Sequence, residues 1–171
     1  MKKLLFIIGM FLSLNASAVT FHAIQDGEIY GYFSGATAGY DSKLSLSIGE
    51  NQSASYIHDH LSVIGDRVNF GFAHAGDTIV FNLEVLTTGD TFYSIPSLNP
   101  DGMDHMRYAQ HDNFLFIGFE DLLYGGDLDF DDANAFFTNI SAVPEPDAYM
   151  VLLVGLLLIS FLVKRERYRS E

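Results

Sequence analysis

The sequence contains no cysteine, which excludes a disulfide framework, a cysteine-ligated zinc site and thiol chemistry. Positive charge is scarce in residues 19–143, where three cations, Lys43, Arg67 and Arg107, face 18 carboxylates. A formal charge of −15 repels nucleic acid and anionic lipid and attracts divalent cations, so we expect no nucleic-acid binding. A segment of about 125 residues suits one domain. Without disulfides, this domain must be held by its core or by bound metal.

The N-terminal residues 1–18 have the order of a secretory signal peptide. Two lysines precede an apolar run that is too short for a comfortable membrane span, and small residues close the segment. Ala16 and Ala18 fit a signal-peptidase site before Val19. An uncleaved anchor is the alternative.

Residues 144–171 combine three features in a fixed order. Pro144, Glu145 and Pro146 are followed by an uncharged segment at residues 148–163 and then by a basic cluster. The uncharged segment predicts a single transmembrane helix, and the basic cluster places the C-terminus in the cytoplasm. The two prolines hold the preceding segment extended.

This order resembles the PEP-CTERM sorting signal of Gram-negative bacteria, which the three residues of the tripeptide match position by position. The resemblance implies a membrane protease, exosortase, that removes the tail and passes the protein from an inner-membrane-anchored precursor, with its domain in the periplasm, to the cell surface or extracellular matrix. An ordinary single-pass anchor with an incidental Pro-Glu-Pro is the alternative.

Between the two ends, strand signals recur and no sustained helical periodicity is found. Turn residues at intervals of about 8 to 12 residues predict an all-β sandwich or jelly roll over residues 19–143. In the clearest alternating run we expect Leu44, Leu46 and Ile48 to be buried and the intervening serines to meet solvent. Residues 51–60 fit a loop or a helical turn. The predicted strands are Phe21–Ile24, Glu28–Phe33, Lys43–Ile48, Leu61–Ile64, Arg67–Phe72, Thr78–Leu86, Leu115–Glu120 and Ala135–Ile140.

The densest acidic stretch predicts a calcium site. Six carboxylates lie within residues 120–132, and Gly125 and Gly126 permit a sharp turn between them. Alternating aspartates in a curled loop direct oxygens to one centre, and calcium takes about six to eight such ligands. Capping of a turn by Asp131 and Asp132 is the metal-free alternative. The proposed ligands are Glu120, Asp121, Asp127, Asp129, Asp131 and Asp132.

The same stretch resembles a known family. Gly118-Phe119-Glu120-Asp121-Leu122, Gly125-Gly126-Asp127 and Asp129-Phe130-Asp131-Asp132 are similar to the signature of the uncharacterised domain DUF4114. Asp131 stands where that signature usually has asparagine. The resemblance covers about residues 76–140 and implies an extracellular β domain, with no settled activity.

Two further groups of residues are candidate ligands. Asp101, Asp104 and His105 lie in a turn-rich segment that could complete a metal site or serve only as a connector. His58 and His60 put two imidazoles on one side of a strand, but the sequence shows no third partner for a transition metal.

These features favour a non-catalytic surface protein, because no nucleophile elbow, phosphate loop or zinc-protease helix occurs. We expect a structural or adhesive component of an exopolysaccharide or biofilm matrix, stabilised by calcium. The alternative is a calcium-dependent carbohydrate-binding module with exposed tyrosines such as Tyr56, Tyr93, Tyr108 or Tyr124. A polysaccharide-acting enzyme is a third hypothesis.

Overall fold

Strands form where β-branched and aromatic residues alternate with polar ones, and turns rich in glycine and aspartate separate them. The computed structural model describes residues 19–144 and 146–167. Two 3₁₀ turns, Pro96–Leu98 and Leu123–Gly125, interrupt the strands. The strands are β1 (Val19–Ala23), β2 (Gly27–Gly35), β3 (Ser42–Ile48), β4 (Asn51–Gln52), β5 (Ile57–His58), β6 (Arg67–Ala73), β7 (Thr78–Val85), β8 (Thr91–Tyr93), β9 (Met106–Gln110), β10 (Leu115–Phe119), β11 (Ala133–Phe137) and β12 (Ile140–Pro144), and one helix, α1, covers Pro146–Arg167.

The strands form two antiparallel sheets. The first has the order β12-β1-β7-β3-β4, with β5 also paired to β3 and β8 to β7. The second has the order β6-β2-β11-β10-β9. Residues Thr20–Val143 form one compact unit. The predicted all-β class is confirmed.

Aromatic side chains from both sheets meet in the core. Phe81 of β7 and Phe137 of β11 are fully buried, and their ring centroids lie 4.9 Å apart. Phe21 of β1 packs edge-on against Tyr108 of β9 at 5.4 Å. Each fully buried ring contributes about 1.5–3 kcal/mol to folding. This core fixes the loops at the ends of the strands.

Several strand predictions need correction. Leu61–Ile64 is not a strand, because hydrogen bonds from the Ser62 N–H to the His58 carbonyl group and from the Asp66 N–H to the Val63 carbonyl group fold it into turns. Its apolar side chains are exposed. Residues 51–60, predicted as a loop or helical turn, contain β4 and β5, and β8 and β9 were not predicted. The predicted strand Ala135–Ile140 is divided between β11, which ends at Phe137, and β12, which begins at Ile140.

In β3, Leu44 and Leu46 are buried as predicted, whereas Ile48 is half-buried. Ser45, predicted to meet solvent, is 8% exposed. It is covered because Gln52 and Asn82 hydrogen-bond to its hydroxyl group.

The two ends of the chain are only partly described. The predicted signal peptide, with Ala16 and Ala18, lies outside the described residues, as does Glu145 of the sorting motif. Pro144 ends β12, and Pro146 begins α1, where proline is favoured because the first helical N–H groups have no partner. In the described part of the chain, no helix has the length and apolar character needed to cross a membrane. The predicted span at residues 148–163 is therefore not confirmed.

Candidate metal centre

The acidic segment at residues 120–132 connects β10 to β11 in an unusual backbone conformation. Tyr124, Leu128 and Phe130 have φ angles of 65°, 63° and 58°. The left-handed conformation costs a residue with a side chain about 1–2 kcal/mol. Such a cost persists only where the surroundings hold the backbone in place, and it is concentrated at functional sites. The left-handed residues at 128 and 130 alternate with Asp127, Asp129 and Asp131.

Glu120 is the buried member of the candidate site. The residue is 1% exposed, although a carboxylate is rarely buried without partners. Its Oε1 accepts a hydrogen bond of 2.5 Å from the Phe130 N–H, whereas its Oε2 is buried without a hydrogen-bond partner among the described residues. An unpaired buried carboxylate oxygen is costly unless a cation or a donor compensates it.

Two aspartates of the same loop face this glutamate. One carboxylate oxygen from each of Glu120, Asp127 and Asp129 lies within 4.8 Å of the other two. Oxygens bound to one calcium ion at about 2.3–2.6 Å are at most about 5 Å apart, so the three atoms can share one ion. The two aspartates are exposed and leave the centre open to solvent.

The electrostatics of the loop are unfavourable without a cation. Burial raises the pKa of Glu120, and the charges of Asp127, Asp129 and Asp132 raise it further. The hydrogen bond from Phe130 lowers this pKa but does not cancel the rise. Partial desolvation and its acidic neighbours raise the pKa of Asp129 as well. A bound divalent ion would reverse this repulsion, because it favours the ionised form of each carboxyl group.

The other three predicted ligands make different contacts. Asp131 accepts a hydrogen bond from the Thr37 hydroxyl group, and Asp132 accepts one of 3.0 Å from the Asp121 N–H. Asp132 therefore bonds to a backbone group 11 residues away, at the other end of the loop. Burial and the charge of Asp132 raise the pKa of Asp121 to about 7. The structure thus brings Glu120, Asp127 and Asp129 together and places the remaining three around them.

Asp101 and His105 hold the acidic loop through hydrogen bonds. The His105 ring is fully buried and stacked on Phe92 with a centroid distance of 3.8 Å. Its Nε2 lies 2.9 Å from Asp101 Oδ2, and its Nδ1 lies 3.3 Å from the Glu120 carbonyl oxygen. Asp101 also accepts a hydrogen bond of 2.7 Å from the Tyr124 N–H. Both ring nitrogens are therefore engaged, and this pair holds the loop in place.

The third residue of that group lies at the surface. Asp104 forms an exposed ion pair with Arg107 at 2.8 Å. The guanidinium group of Arg107 also lies over the Phe130 ring, 4.1 Å from its centroid. Asp104 therefore steadies the loop through Arg107.

Two further groupings were not visible in the sequence because they join distant segments. Asp41, Asp59 and His60 form a second cluster of possible metal ligands. A polar groove of about 460 Å³ crosses the outer face of the first sheet between Tyr56 and Tyr93. In the sequence, alternating polar residues on β3 and β7 indicate that one face of these strands is solvated. The sequence does not show that the two tyrosines lie on either side of that face.

Comparison with known families matches residues 64–137 to the domain of unknown function DUF4114. The match includes β6 to β11 and the whole acidic loop. No curated protein and no solved structure is significantly similar to the chain. A DUF4114 domain is therefore present at residues 64–137 of this protein, as the resemblance of its acidic motif predicted.

Proposed function

We propose that this protein is an exported, non-catalytic surface protein whose β domain is stabilised by a calcium ion bound to Glu120, Asp127 and Asp129. The observation that carries the proposal is the unpartnered Oε2 of the buried Glu120. Glu120 is also the residue whose carboxylate forms one cluster with the carboxylates of Asp127 and Asp129. Solvated surface charge accounts for Asp127 and Asp129 but not for a buried oxygen without a donor.

The chemistry of the donors favours calcium over other ions. All three are carboxylate oxygens, the ligands of hard cations, and the irregular loop suits the flexible coordination of calcium better than the strict octahedron of magnesium. Water or backbone carbonyl oxygens would complete the coordination sphere. The ion would also offset the cost of the left-handed residues, because its binding free energy adds to the stability of the folded state.

Export is the second part of the proposal, and it is supported by the sequence. Residues 1–18 would direct the chain to signal peptidase, and residues 148–163 would hold the precursor in the inner membrane with the domain in the periplasm. Exosortase would then act at Pro144-Glu145-Pro146 and release the domain to the surface or matrix of a Gram-negative cell. A structural or adhesive role in an exopolysaccharide or biofilm context follows from that location.

Thermal melting of the full chain tests the calcium site. The chain is purified in a mild non-ionic detergent because α1 exposes leucines, and it is melted in calcium and in a chelator. At a calcium concentration 100 times the Kd the folded state gains about 2.7 kcal/mol. This corresponds to about 10 °C for a domain of this size.

A double variant and a matched control make the test specific. The double change Asp127→Asn and Asp129→Asn removes two ligands from exposed positions and should abolish the calcium-dependent shift. Asp112→Asn, at the exposed tip between β9 and β10, should retain it. No shift in the wild-type chain, or an equal shift in all three proteins, would show that the loop carboxylates are solvated surface charges and not calcium ligands.

Carbohydrate binding is the second candidate function, and the groove on the first sheet favours it. Tyr56 is 46% exposed at one side of the groove and Tyr93 lies at the other, so a sugar ring could stack on an aromatic face. Between them Gln52 donates hydrogen bonds to Ser45 at 2.7 Å and to Asn82 at 3.2 Å. Such a network presents fixed donors and acceptors to the hydroxyl groups of a glycan.

A glycan array probed with and without chelator tests this function. Tyr56→Ala should abolish binding to any glycan that the wild-type chain captures. Tyr32→Ala, which alters a half-buried tyrosine of β2 in the second sheet, should leave binding intact. An array without any captured glycan, or equal losses in both variants, would remove the groove as a sugar site.

A further inference from the structure

A second cluster of metal-binding side chains lies at one end of the first sheet. Asp41 immediately precedes β3, His58 ends β5, and Asp59 and His60 begin the turn that follows. None of the four belongs to the acidic loop between β10 and β11. Asp41 is the partner that the sequence did not reveal for the two histidines.

Backbone hydrogen bonds hold the turn that carries the histidines. The Asp59 N–H donates to the Ser42 carbonyl group at 3.2 Å, and the Ser42 N–H donates to Asp59 Oδ1 at 3.0 Å. The Ser62 N–H donates to the His58 carbonyl group at 2.9 Å. The backbone of the turn and the Asp59 side chain are therefore anchored to the first residue of β3.

Asp41 is fixed from the opposite side. Its N–H donates to the Thr87 hydroxyl group at 2.9 Å, and its carbonyl group accepts from the Leu86 N–H at 2.7 Å. The segment before β3 is thereby fastened to the end of β7. Both halves of the cluster are therefore held by hydrogen bonds to backbone groups of the first sheet or next to it.

Several donor atoms of the cluster are separated by distances close to those in a tetrahedral zinc site. Four ligands at about 2.0–2.2 Å from a zinc ion lie about 3.3–3.6 Å from one another. His60 Nδ1 lies 3.1 Å from Asp41 Oδ1 and 3.1 Å from Asp59 Oδ1. His58 Nδ1 lies 3.3 Å from Asp59 Oδ1 and 4.0 Å from Asp41 Oδ1. Three of these four separations are 3.1–3.3 Å, and the fourth, from His58 to Asp41, is longer. Ligand atoms of Asp41, Asp59 and His60 all lie within 4.8 Å of one another, so these three residues form the centre of the cluster and His58 lies beside it.

Two atoms of the cluster are buried without a hydrogen-bond partner. They are His58 Nδ1 and Asp59 Oδ2. The Asp59 side chain is 1% exposed and the His58 side chain is 11% exposed, so water does not readily solvate either atom. The His60 ring bonds to Asp59 Oδ1, and His58 Nδ1 lies 3.3 Å from the same oxygen. Neither contact satisfies Asp59 Oδ2, which has no donor among the described residues.

We propose that Asp41, His58, Asp59 and His60 bind a first-row divalent transition metal, with zinc as the expected ion. Two imidazoles and two carboxylates suit zinc, whereas calcium takes oxygen ligands and disfavours the imidazoles. The exposed side chains of Asp41 and His60 give the ion a path from solvent. A bound ion would cross-link the segment before β3 to the turn after β5 at one end of the first sheet.

Zinc titration of the full chain tests this site. Metal-free protein is supplied with saturating calcium, so that oxygen-only sites are filled, and is then titrated with zinc in competition with a chromophoric chelator at neutral pH. One equivalent should bind. His60→Ala changes an exposed side chain and should weaken the affinity by at least about 10- to 100-fold, the loss seen even for groups one step outside a metal's ligands. Asp41→Asn should act in the same direction.

His74→Ala is the matched control, because His74 also faces an aspartate, Asp26, at 3.6 Å on the surface. It should bind zinc like the wild-type chain. The double variant Asp127→Asn and Asp129→Asn should also bind zinc like wild type, so the zinc result does not depend on whether the calcium site exists. Cobalt should give visible absorption bands in wild type that His60→Ala lacks. Zinc binding that survives both His60→Ala and Asp41→Asn, or no stoichiometric binding at all, would overturn the proposal.

Discussion

Gly118 provides a steric test of how the fold supports the acidic loop. A Cβ atom at this position would lie 2.2 Å from the Phe130 carbonyl oxygen and 2.6 Å from Asn134 Oδ1. Because a backbone atom cannot rotate away, the loop must move by about 1 Å to restore van der Waals contact. Overpacking of this kind costs about 1–3 kcal/mol, and we expect Gly118→Ala to lower the melting temperature by about 4–12 °C.

The same displacement should weaken calcium binding. Phe130 donates its N–H to Glu120 Oε1, so a shift of Phe130 changes the position of the buried carboxylate. In calcium titrations followed by thermal melting, Gly118→Ala should therefore need more calcium than wild type for the same upward shift. The assay is a series of melts of the full chain at increasing calcium concentration.

Two other glycines supply the controls. At Gly31 a Cβ would lie 2.6 Å from the Phe70 ring and 2.9 Å from the Phe137 ring, so Gly31→Ala strains the core without touching the loop. Gly39 has nothing within 4 Å, so Gly39→Ala should change neither property. Equal calcium responses in Gly118→Ala and Gly31→Ala would refute the link between backbone position and metal binding. A melting temperature of Gly118→Ala equal to that of Gly39→Ala would refute the steric argument itself.

Two predictions concern pH. Burial and the charge of Asp132 raise the pKa of Asp121 from 3.8 to about 7, so the folded state holds this proton more tightly than the unfolded state. Calcium-free protein should therefore lose folding stability as pH rises from about 4 to about 7. In urea unfolding across that window, the free energy of unfolding of Asp121→Asn should rise by a few kcal/mol relative to that of wild type. Parallel pH profiles of the two proteins would contradict this. Burial opposes ionisation of Asp101, but hydrogen bonds from Met103, Tyr124 and His105 outweigh it and lower the pKa to about 2. Its stabilisation, about 2–3 kcal/mol, should be present above about pH 4 and lost as pH falls towards 2. Asp101→Asn should remove it at pH 7, whereas Asp104→Asn, at an exposed ion pair, should cost less than about 1 kcal/mol in the same unfolding assay.

The fold class follows from local patterns in the sequence. Alternation of apolar and polar residues in β3 and β7, with turn residues between the strands, is sufficient to predict an all-β domain. Alternation does not predict the individual strands whose formation depends on pairing with another strand. Leu61–Ile64 is apolar but has no strand beside it, and the short strand β5 forms because β3 offers it backbone hydrogen bonds.

The acidic loop shows the same division within a candidate site. Its composition predicted a cation, because six carboxylates in one short segment repel each other. The sequence could not rank them, since burial and partners depend on the whole fold. Tertiary packing buries Glu120, engages Asp131 with Thr37 and turns Asp132 towards the Asp121 N–H.

Clusters that join distant segments were determined by the fold alone. Asp41 meets His58 and His60 because β3 and β5 pair in one register, Lys43 opposite His58. Tyr56 and Tyr93 flank one groove because β7 carries β8 on one side and β3 on the other. The sequence by itself determined composition, charge and local periodicity. Strand pairing set the distances between residues far apart in the chain, and metal and ligand chemistry depends on those distances.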